Sequence, residues 1–310
     1  MSQLTNDQLA NVAHDFYISK LNIAEISSKY QLSRYLIGKA LDEAQEKGIV
    51  QISIRNGRFK REPEIEKKIK DKYHLKDVFV LHKLETKIED DEALTTYTAK
   101  RLQKFLATNH VIGFTWGTTL LDIVNNLHGT ERPDLYFVQL LGWPVNASMR
   151  KNPLEQRLAD KFDANSISLP LPLYGQNIEF CQNARKEPFY KLADKYYQRL
   201  DLIVGGVGTL EALDDDRFLK KFYKEDLFSA YYDQIAGFIF GRPYNIHGEL
   251  FSSIQQHICG ITDSELRQVP TRLVIEKNRF KSKALAGALR TGLVTHLITN
   301  DGIAERLLQY

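Results

Sequence analysis

The sequence predicts an α/β protein of two domains: an N-terminal winged helix-turn-helix and a larger doubly wound α/β domain after it. Apolar residues at helical spacing flank a short break within residues 21–50. From residue 77 onward, short apolar strands alternate with helices, which is typical of a parallel sheet covered on both faces. The predicted boundaries are 1–60 for the first domain, 61–76 for a basic linker helix and 77–310 for the second domain.

The first domain is predicted to contain three helices, the first over residues 7–19. Ser33 lies in the break before the third helix, where its hydroxyl can accept a hydrogen bond from an unpaired helix N–H. Side chains that follow such a cap project from the start of a recognition helix toward bases in the major groove. The predicted DNA contacts on this helix are Ser33, Arg34, Tyr35 and Lys39.

A short strand over residues 51–55 is predicted next, and Asn56-Gly57 is a tight-turn dipeptide that can close a small β-wing. Across 51–76, nine Lys and Arg residues stand against four Asp and Glu residues, which favours contact with DNA phosphates. From Lys67 onward, a solvated helix of mixed charge fits the sequence equally well. The phosphate contacts predicted from this stretch are the bases nearest the recognition helix: Arg55, Arg58, Lys60 and Arg61.

The second domain alternates predicted strands and helices in chain order. The strands are predicted at 77–81, 110–116, 135–142, 166–174, 200–210, 235–242, 271–276 and 294–299. The helices between them are predicted at 92–107, 120–127, 153–163, 184–199 and 281–291. Ligands of such sheets bind beyond the carboxyl ends of the strands, so the loops at those ends are the candidate sites.

Several classes of protein are disfavoured by composition. The N-terminus is polar and amphipathic rather than a signal peptide, and no apolar run approaches the roughly 18 residues of a membrane span. The two cysteines, Cys181 and Cys259, predict neither a disulfide framework nor a metal site. Histidines near predicted strand ends have no metal-ligand spacing to Cys, Asp or Glu. We therefore expect a cytoplasmic protein with no metal, no cofactor and no membrane association.

One strand end carries the features of an anion site. Gly117, Thr118 and Thr119 follow a predicted strand and open a helix. Glycine permits close approach of the backbone, the hydroxyls can donate hydrogen bonds, and a helix N-terminus offers free N–H groups and the positive end of its dipole. The alternative is a structural helix cap with a tight-turn glycine.

Other strand ends offer weaker signals. A glycine cluster that ends in Gly208 and Thr209 follows the strand at 200–210, but it completes neither a dinucleotide fingerprint nor a Walker motif. Arg242 ends another strand and could pair with phosphate oxygens, while Lys281 heads a helix near the last strand. Each cation taken alone could also be an ordinary surface residue.

Five separated segments together resemble the SorC-type sugar-binding transcriptional regulators, a family that includes the central glycolytic and deoxyribonucleoside regulators. The segments are DEAQEKGIVQISI, VIGFTWGTTL, VQLLG, IVGGVGTL and KSKALAGALRTGLVTHLITNDGIAERLL, in that order along the chain. The last segment is the most specific. Its Lys281, Arg290, Gly292 and Leu297-Ile298-Thr299 have the family spacing.

The resemblance implies an effector domain similar to the sugar-phosphate isomerase and glucosamine-6-phosphate deaminase fold, which binds a phosphorylated sugar without turnover. It also implies a tetramer, arranged as a dimer of dimers, that acts on operator DNA. By position, the implied effector-binding residues are Gly117, Thr118, Thr119, Gly208, Thr209, Arg242 and Lys281.

The segment GFIFGRPYNIHG departs from the family pattern. Phe238 and Asn245 stand where the family usually has acidic residues, and the first of these acids is implied to bind sugar hydroxyls. Leu141 stands where a deoxyribose-phosphate sensor of the family would have a lysine able to form a Schiff base. The resemblance with these departures implies non-covalent recognition of an altered sugar.

The function expected from the sequence is that of a DNA-binding regulator, a repressor of a carbohydrate-metabolism operon, which a phosphorylated sugar controls. No catalytic residue is assigned. One alternative is a constitutive DNA-binding scaffold whose second domain only oligomerises. The other is a sugar-phosphate isomerase or deaminase with an accessory DNA-binding domain. That enzyme would need a carboxylate or histidine poised for proton transfer beside the anion site, and Phe238 counts against it.

Overall fold

The computed structural model describes residues 4–50, 59–143, 153–211 and 220–310. The chain divides into two compact units, residues 1–58 and 59–310. The first unit contains α1 (Asn6–Tyr17), α2 (Ile23–Tyr30) and α3 (Arg34–Glu46), so the three predicted helices are confirmed. The predicted strand at 51–55, the turn at 56–57 and both Arg55 and Arg58 lie outside the described residues.

Side-chain caps fix the break between α2 and α3. Asn22 caps α2 by accepting hydrogen bonds from the backbone N–H groups of Ala24 and Glu25. Gln31 ends α2 in the left-handed conformation, with φ of 53°. The Ser33 hydroxyl accepts a hydrogen bond from the Leu36 N–H, which confirms the predicted cap. The three helices enclose an apolar core: Leu9, Val12, Ala13, Ile26, Ile37, Ala40, Leu41 and Ala44.

The second unit is built on parallel strands with helices between them. The strands of its main sheet are β1 (Asp77–Leu81), β2 (Val111–Phe114), β3 (Tyr136–Gln139), β4 (Asn165–Ile167), β5 (Leu202–Gly205), β9 (Thr271–Ile275) and β10 (His296–Asn300). A smaller sheet contains β6 (Val207–Gly208), β7 (Gly237–Ile239) and β8 (Arg242–Tyr244). The α-helices are α4 (Pro63–Tyr73), α5 (Lys87–Leu106), α6 (Thr118–Asn125), α7 (Leu154–Phe162), α8 (Ile178–Ala184), α9 (Pro188–Tyr197), α10 (Ser252–Gln255), α11 (Asp263–Gln268), α12 (Ser282–Arg290) and α13 (Asp301–Gln309).

The seven strands of the main sheet run in the order β1-β10-β9-β5-β2-β3-β4, and every neighbouring pair is parallel. Successive residues of a strand face opposite sides of the sheet. In β9, Leu273 and Ile275 join the core on one side while Val274 joins the core on the other. Because both faces are apolar and covered, the predicted doubly wound α/β domain is confirmed.

The prediction that residues 235–242 form one strand of the main sheet is wrong. This segment contributes β7 to the small antiparallel sheet, which pairs β6 with β7 and β7 with β8. Phe240 and Gly241 both have positive φ, 47° and 72°, so the chain reverses between β7 and β8. The apolar character of the segment gave no indication of this reversal.

The predicted helix at 184–199 is confirmed as α9, which is shorter than predicted, and the sequence did not predict α8 at Ile178–Ala184. Pro188 begins α9, where its missing N–H costs nothing. The predicted linker segment 61–76 forms α4, which packs on β1 and α13 within the second unit. Ile69 and Tyr73 of α4 are buried there, and Tyr73 donates a hydrogen bond to the Leu307 carbonyl.

Within the described ranges, each helix is too short or too polar to cross a lipid bilayer.

Candidate functional sites

The start of α3 presents the predicted DNA-contacting side chains to solvent. Ser33, Arg34 and Lys39 are exposed, and Tyr35 is 77% exposed although it is aromatic. Ile37 and Ala40 on the opposite side of α3 are buried in the core. The helix therefore has one face that holds the fold and another that is free for a partner, as a recognition helix requires.

Lys60 and Arg61, the two described bases among the predicted phosphate contacts, differ in their surroundings. Arg61 is paired within the second unit, because its Nε and Nη2 atoms donate hydrogen bonds of 2.8 and 2.7 Å to the two carboxylate oxygens of Glu66. Its guanidinium also lies 4.7 Å from the ring centre of Phe79. Lys60 remains exposed, with its ammonium 3.8 Å from the Glu62 carboxylate.

The strand order locates the ligand-binding crevice of the second unit. From β2 the chain moves outward to β3 and β4, whereas β5 lies on the other side of β2 and is followed outward by β9 and β10. Such a reversal of direction is a topological switch point, where α/β sheets bind ligands beyond the carboxyl ends of their strands. The crevice therefore lies beyond the ends of β2 and β5, with β9 next to them.

The predicted phosphate loop lies at the end of β2. Gly117 has φ of 153° and precedes α6, and a Cβ atom at this position would meet open space. Thr118, the first residue of α6, is exposed, and Thr119 is half-buried. The first N–H groups of a helix have no carbonyl partner within it, so this turn can donate to an anion.

Lys281 lies just before α12, at the ends of β5 and β9. Its Nζ atom donates a 2.8 Å hydrogen bond to the carbonyl of Val207, which follows β5. The same Nζ atom lies 4.0 Å from the Glu276 carboxylate, at the end of β9. The structure therefore brings Lys281 to the strand ends where the resemblance places the ligand.

Three charged residues of this region were missed by sequence reasoning. Lys277, directly after β9, donates a 3.1 Å hydrogen bond to the carboxylate of Asp122 on α6. Glu276 is buried, and burial raises the pKa of its carboxyl group. Charged residues that follow a buried strand were the available signal, but 155 residues separate Lys277 from Asp122.

Gly208 and Thr209 extend from the β5 side of the crevice. Gly208 belongs to β6 and is paired with Phe238 of β7. Phe238 packs edge-to-face on Phe228, with 5.7 Å between ring centres, so an aromatic contact occupies the place of the family acid. Thr209, directly after β6, is half-buried.

Arg242 is not placed as a phosphate ligand. Its side chain is 1% exposed, and its Nη1 and Nη2 atoms donate hydrogen bonds of 2.7 and 2.5 Å to the carbonyls of Phe240 and Ile261. Burial lowers its pKa to about 10. These contacts give Arg242 the structural role of joining the β7–β8 turn to the segment before α11.

Two other features of the second unit lie apart from the crevice. A cavity of about 220 Å³ offers one carboxylate and no lysine or arginine, so it is poorly suited to a phosphate; it is lined by Gln176, Asp226, Leu227, Tyr231, Ser253, Ile254 and His257. In addition, His82 Nδ1 lies 2.8 Å from Glu62 and 3.2 Å from Asp301. The sequence spacing of Glu62, His82 and Asp301 gave no indication that their side chains lie together.

Comparison with known proteins agrees with this architecture. Residues 57–309 match the family model described as "Putative sugar-binding domain". The sorbitol operon regulator of Klebsiella pneumoniae is 24% identical over 308 residues, which covers 97% of each chain. The deoxyribonucleoside regulator of Bacillus subtilis is 23% identical over 299 residues, or 94% of each chain.

Solved structures show the same similarity in three dimensions. The full-length sorbitol operon regulator SorC from Klebsiella pneumoniae superposes with a TM-score of 0.70 at 25% identity, covering 98% of this chain and 99% of that one. A transcriptional regulator from Streptococcus pneumoniae has a TM-score of 0.70 at 21% identity and covers 79% of this chain and 96% of its own. These relatives are named as transcriptional regulators and not as enzymes. This chain belongs to the SorC-type family of sugar-binding transcriptional regulators.

Proposed function

We propose that this protein represses a carbohydrate-metabolism operon by binding operator DNA, and that a phosphorylated sugar controls this binding. The observation that carries the proposal is the crevice beyond β2 and β5, where the start of α6 and the Lys281 ammonium lie at adjoining strand ends. A phosphate would meet free N–H groups, threonine hydroxyls and a cation there. The sorbitol and deoxyribonucleoside regulators among the relatives support a ligand from carbohydrate metabolism.

The effector is proposed to bind without a covalent bond. Leu141, at the position where the resemblance would place a Schiff-base lysine, is a fully buried hydrocarbon side chain. Lys281 donates to Val207 and is adjacent to Glu276, so these contacts fix the position of its ammonium as an electrostatic contact. Binding is therefore expected to be reversible on dilution and insensitive to borohydride.

The protein is proposed to act as a dimer of dimers. Paired recognition helices read two half-sites, and their spacing depends on how the subunits pack. A ligand that prefers one packing of the effector units shifts the population toward that packing, and so changes the fit to operator DNA.

The test measures operator affinity and melting temperature of the full-length protein. Operator sequences are first recovered from a randomised DNA library, and the affinity is measured with and without sorbitol 6-phosphate, ribose 5-phosphate, glucose 6-phosphate and fructose 6-phosphate. We expect one of these compounds to raise the melting temperature and to weaken operator binding. Failure to enrich any DNA sequence would refute the proposed binding to operator DNA. Unchanged operator affinity with every compound would refute control by these sugar phosphates.

Replacement of Arg34 or Lys39 by alanine is expected to weaken operator binding about tenfold for each, because each removes a cation from the DNA-facing side of α3. The melting temperature should hardly change, since both side chains are exposed. Fluorescence anisotropy with labelled operator measures the loss. Lys47→Ala is the matched control, because Lys47 lies at the other end of α3 and pairs with Glu43. Equal affinity for all three variants would exclude this face as the DNA contact.

A further inference from the structure

Glu276 is a buried carboxylate at the carboxyl end of β9, a central strand of the main sheet. Its side chain is 5% exposed. Alternation along the strand directs Glu276 to the sheet face of Val274 and Lys277 to the opposite face. The observed contacts follow this alternation, because Glu276 lies near Lys281 whereas Lys277 reaches Asp122 on α6.

The two oxygens of this carboxylate have different surroundings. Oε1 accepts hydrogen bonds of 3.1 and 2.8 Å from the N–H groups of Lys277 and Asn278. Oε2 accepts none from the described residues, and its nearest cation is the Lys281 ammonium at 4.0 Å. Since that ammonium already donates to the Val207 carbonyl, this oxygen has no hydrogen-bond donor among the described residues.

A carboxylate oxygen that has no protein donor can accept hydrogen bonds from the donors of a ligand that binds beside it. Sugar and polyol hydroxyls are such donors. The same carboxylate repels an anion that brings no hydroxyl, because Glu276 and the phosphate would share the neighbourhood of Lys281. A site built in this way discriminates strongly against analogues that lack the hydroxyl.

We propose that Glu276 is the residue that recognises a hydroxyl group of the phosphorylated effector. The inference rests on the proposed effector site. Glu276 takes this role in place of the position at Phe238, whose ring packs on Phe228 and offers no acceptor.

The test compares hydroxylated phosphate monoesters with one that has no hydroxyl. Sorbitol 6-phosphate, ribose 5-phosphate, glucose 6-phosphate and fructose 6-phosphate are titrated into the full-length protein by calorimetry, with n-butyl phosphate as the reference. We expect the wild type to prefer at least one hydroxylated compound to n-butyl phosphate by about tenfold or more.

Glu276→Gln retains an acceptor for the two N–H groups but replaces the second oxygen with an amide. In this variant, the ratio of the affinity for the hydroxylated compound to that for n-butyl phosphate should fall about tenfold. The variant should bind n-butyl phosphate as well as the wild type does or more tightly, because a negative charge is gone. Glu276→Asp keeps the charge but withdraws the oxygens by one methylene, so it should lose the preference without a gain for n-butyl phosphate. Glu305→Gln, an exposed carboxylate on α13, is the control for loss of charge.

The outcomes separate the two proposals. If the wild type prefers a hydroxylated compound and both Glu276 variants retain that preference, the role of Glu276 is refuted while the effector site stands. If no phosphate monoester binds the wild type, the effector site itself is refuted, and the inference fails with it. If Glu276→Gln does not fold, Glu276→Asp tests the role of Glu276 alone. Loss of the preference for the hydroxylated compound supports that role, and retention of the preference refutes it.

Discussion

Replacement of Gly260 by alanine should destabilise the second unit by about 3 kcal/mol, the combined cost of a strained backbone and an overpacked site. Gly260 has φ of 141°, a conformation that side chains rarely adopt. A Cβ atom there would lie 2.4 Å from the Leu140 carbonyl oxygen and 2.8 Å from the Leu141 Cα atom. Both neighbours are backbone atoms of the chain that leaves β3, so neither can move aside cheaply.

The site cannot relax easily because hydrogen bonds hold Gly260 from two directions. Its N–H donates to the Tyr190 hydroxyl at 2.9 Å, and its carbonyl accepts from the same hydroxyl at 2.7 Å. Arg185 Nη2 donates to this carbonyl at 3.1 Å. For a unit of this size, the loss corresponds to a melting temperature lower by about 6–12 °C, measured by calorimetry or circular dichroism.

Gly206→Ala is the matched control, since a Cβ atom at Gly206 would have its nearest contact at 3.7 Å, with the Ile275 carbonyl. That variant should melt within about 2 °C of the wild type. Equal melting temperatures for the Gly260 and Gly206 variants would mean that the backbone at Gly260 is free to shift, contrary to the packing described above.

The strands of the main sheet other than β4 were predictable because each is a short run of mostly buried apolar residues, whereas β4 has an exposed serine at its centre. Runs such as 77–81 and 271–276 must lie inside a covered sheet wherever the chain places them. The same property misled the prediction at 235–242, since a buried antiparallel turn is equally apolar. What distinguishes it is the positive φ of Phe240 and Gly241, which hydropathy does not encode.

The candidate effector site was predictable only in part. Gly117, Thr118 and Lys281 could be selected because a strand-to-helix loop and a cation near a strand end have recognisable chemistry. Glu276 escaped notice because its proposed role depends on β9 lying next to β5, which only the sheet order shows. Arg242 was selected for its charge, and its burial against main-chain carbonyls could not be foreseen from position alone.

Lys281→Ala should weaken the binding of n-butyl phosphate and of the effector by about a hundredfold, the effect of removing a partly buried charged hydrogen-bond donor worth roughly 2–3 kcal/mol. The Lys281 side chain is about one-third exposed, and a main-chain carbonyl and a carboxylate already fix its position. An ammonium held in this way needs little reorganisation to meet a phosphate. Operator affinity without effector should stay at the wild-type value, whereas effector-induced release should disappear.

Lys283→Ala removes the same charge two residues further on, from an exposed position of α12, and should bind every phosphate monoester as the wild type does. Lys281→Arg retains the cation and should recover part of the affinity. The loss of the bond to Val207 costs Lys281→Ala only about 1 kcal/mol of stability, so calorimetric titration well below its melting temperature measures binding alone. If Lys281→Ala bound n-butyl phosphate within about twofold of the Lys283→Ala control, the anion site would have to lie elsewhere. Removal of a cation that contacts a bound phosphate should lower the affinity by much more than twofold.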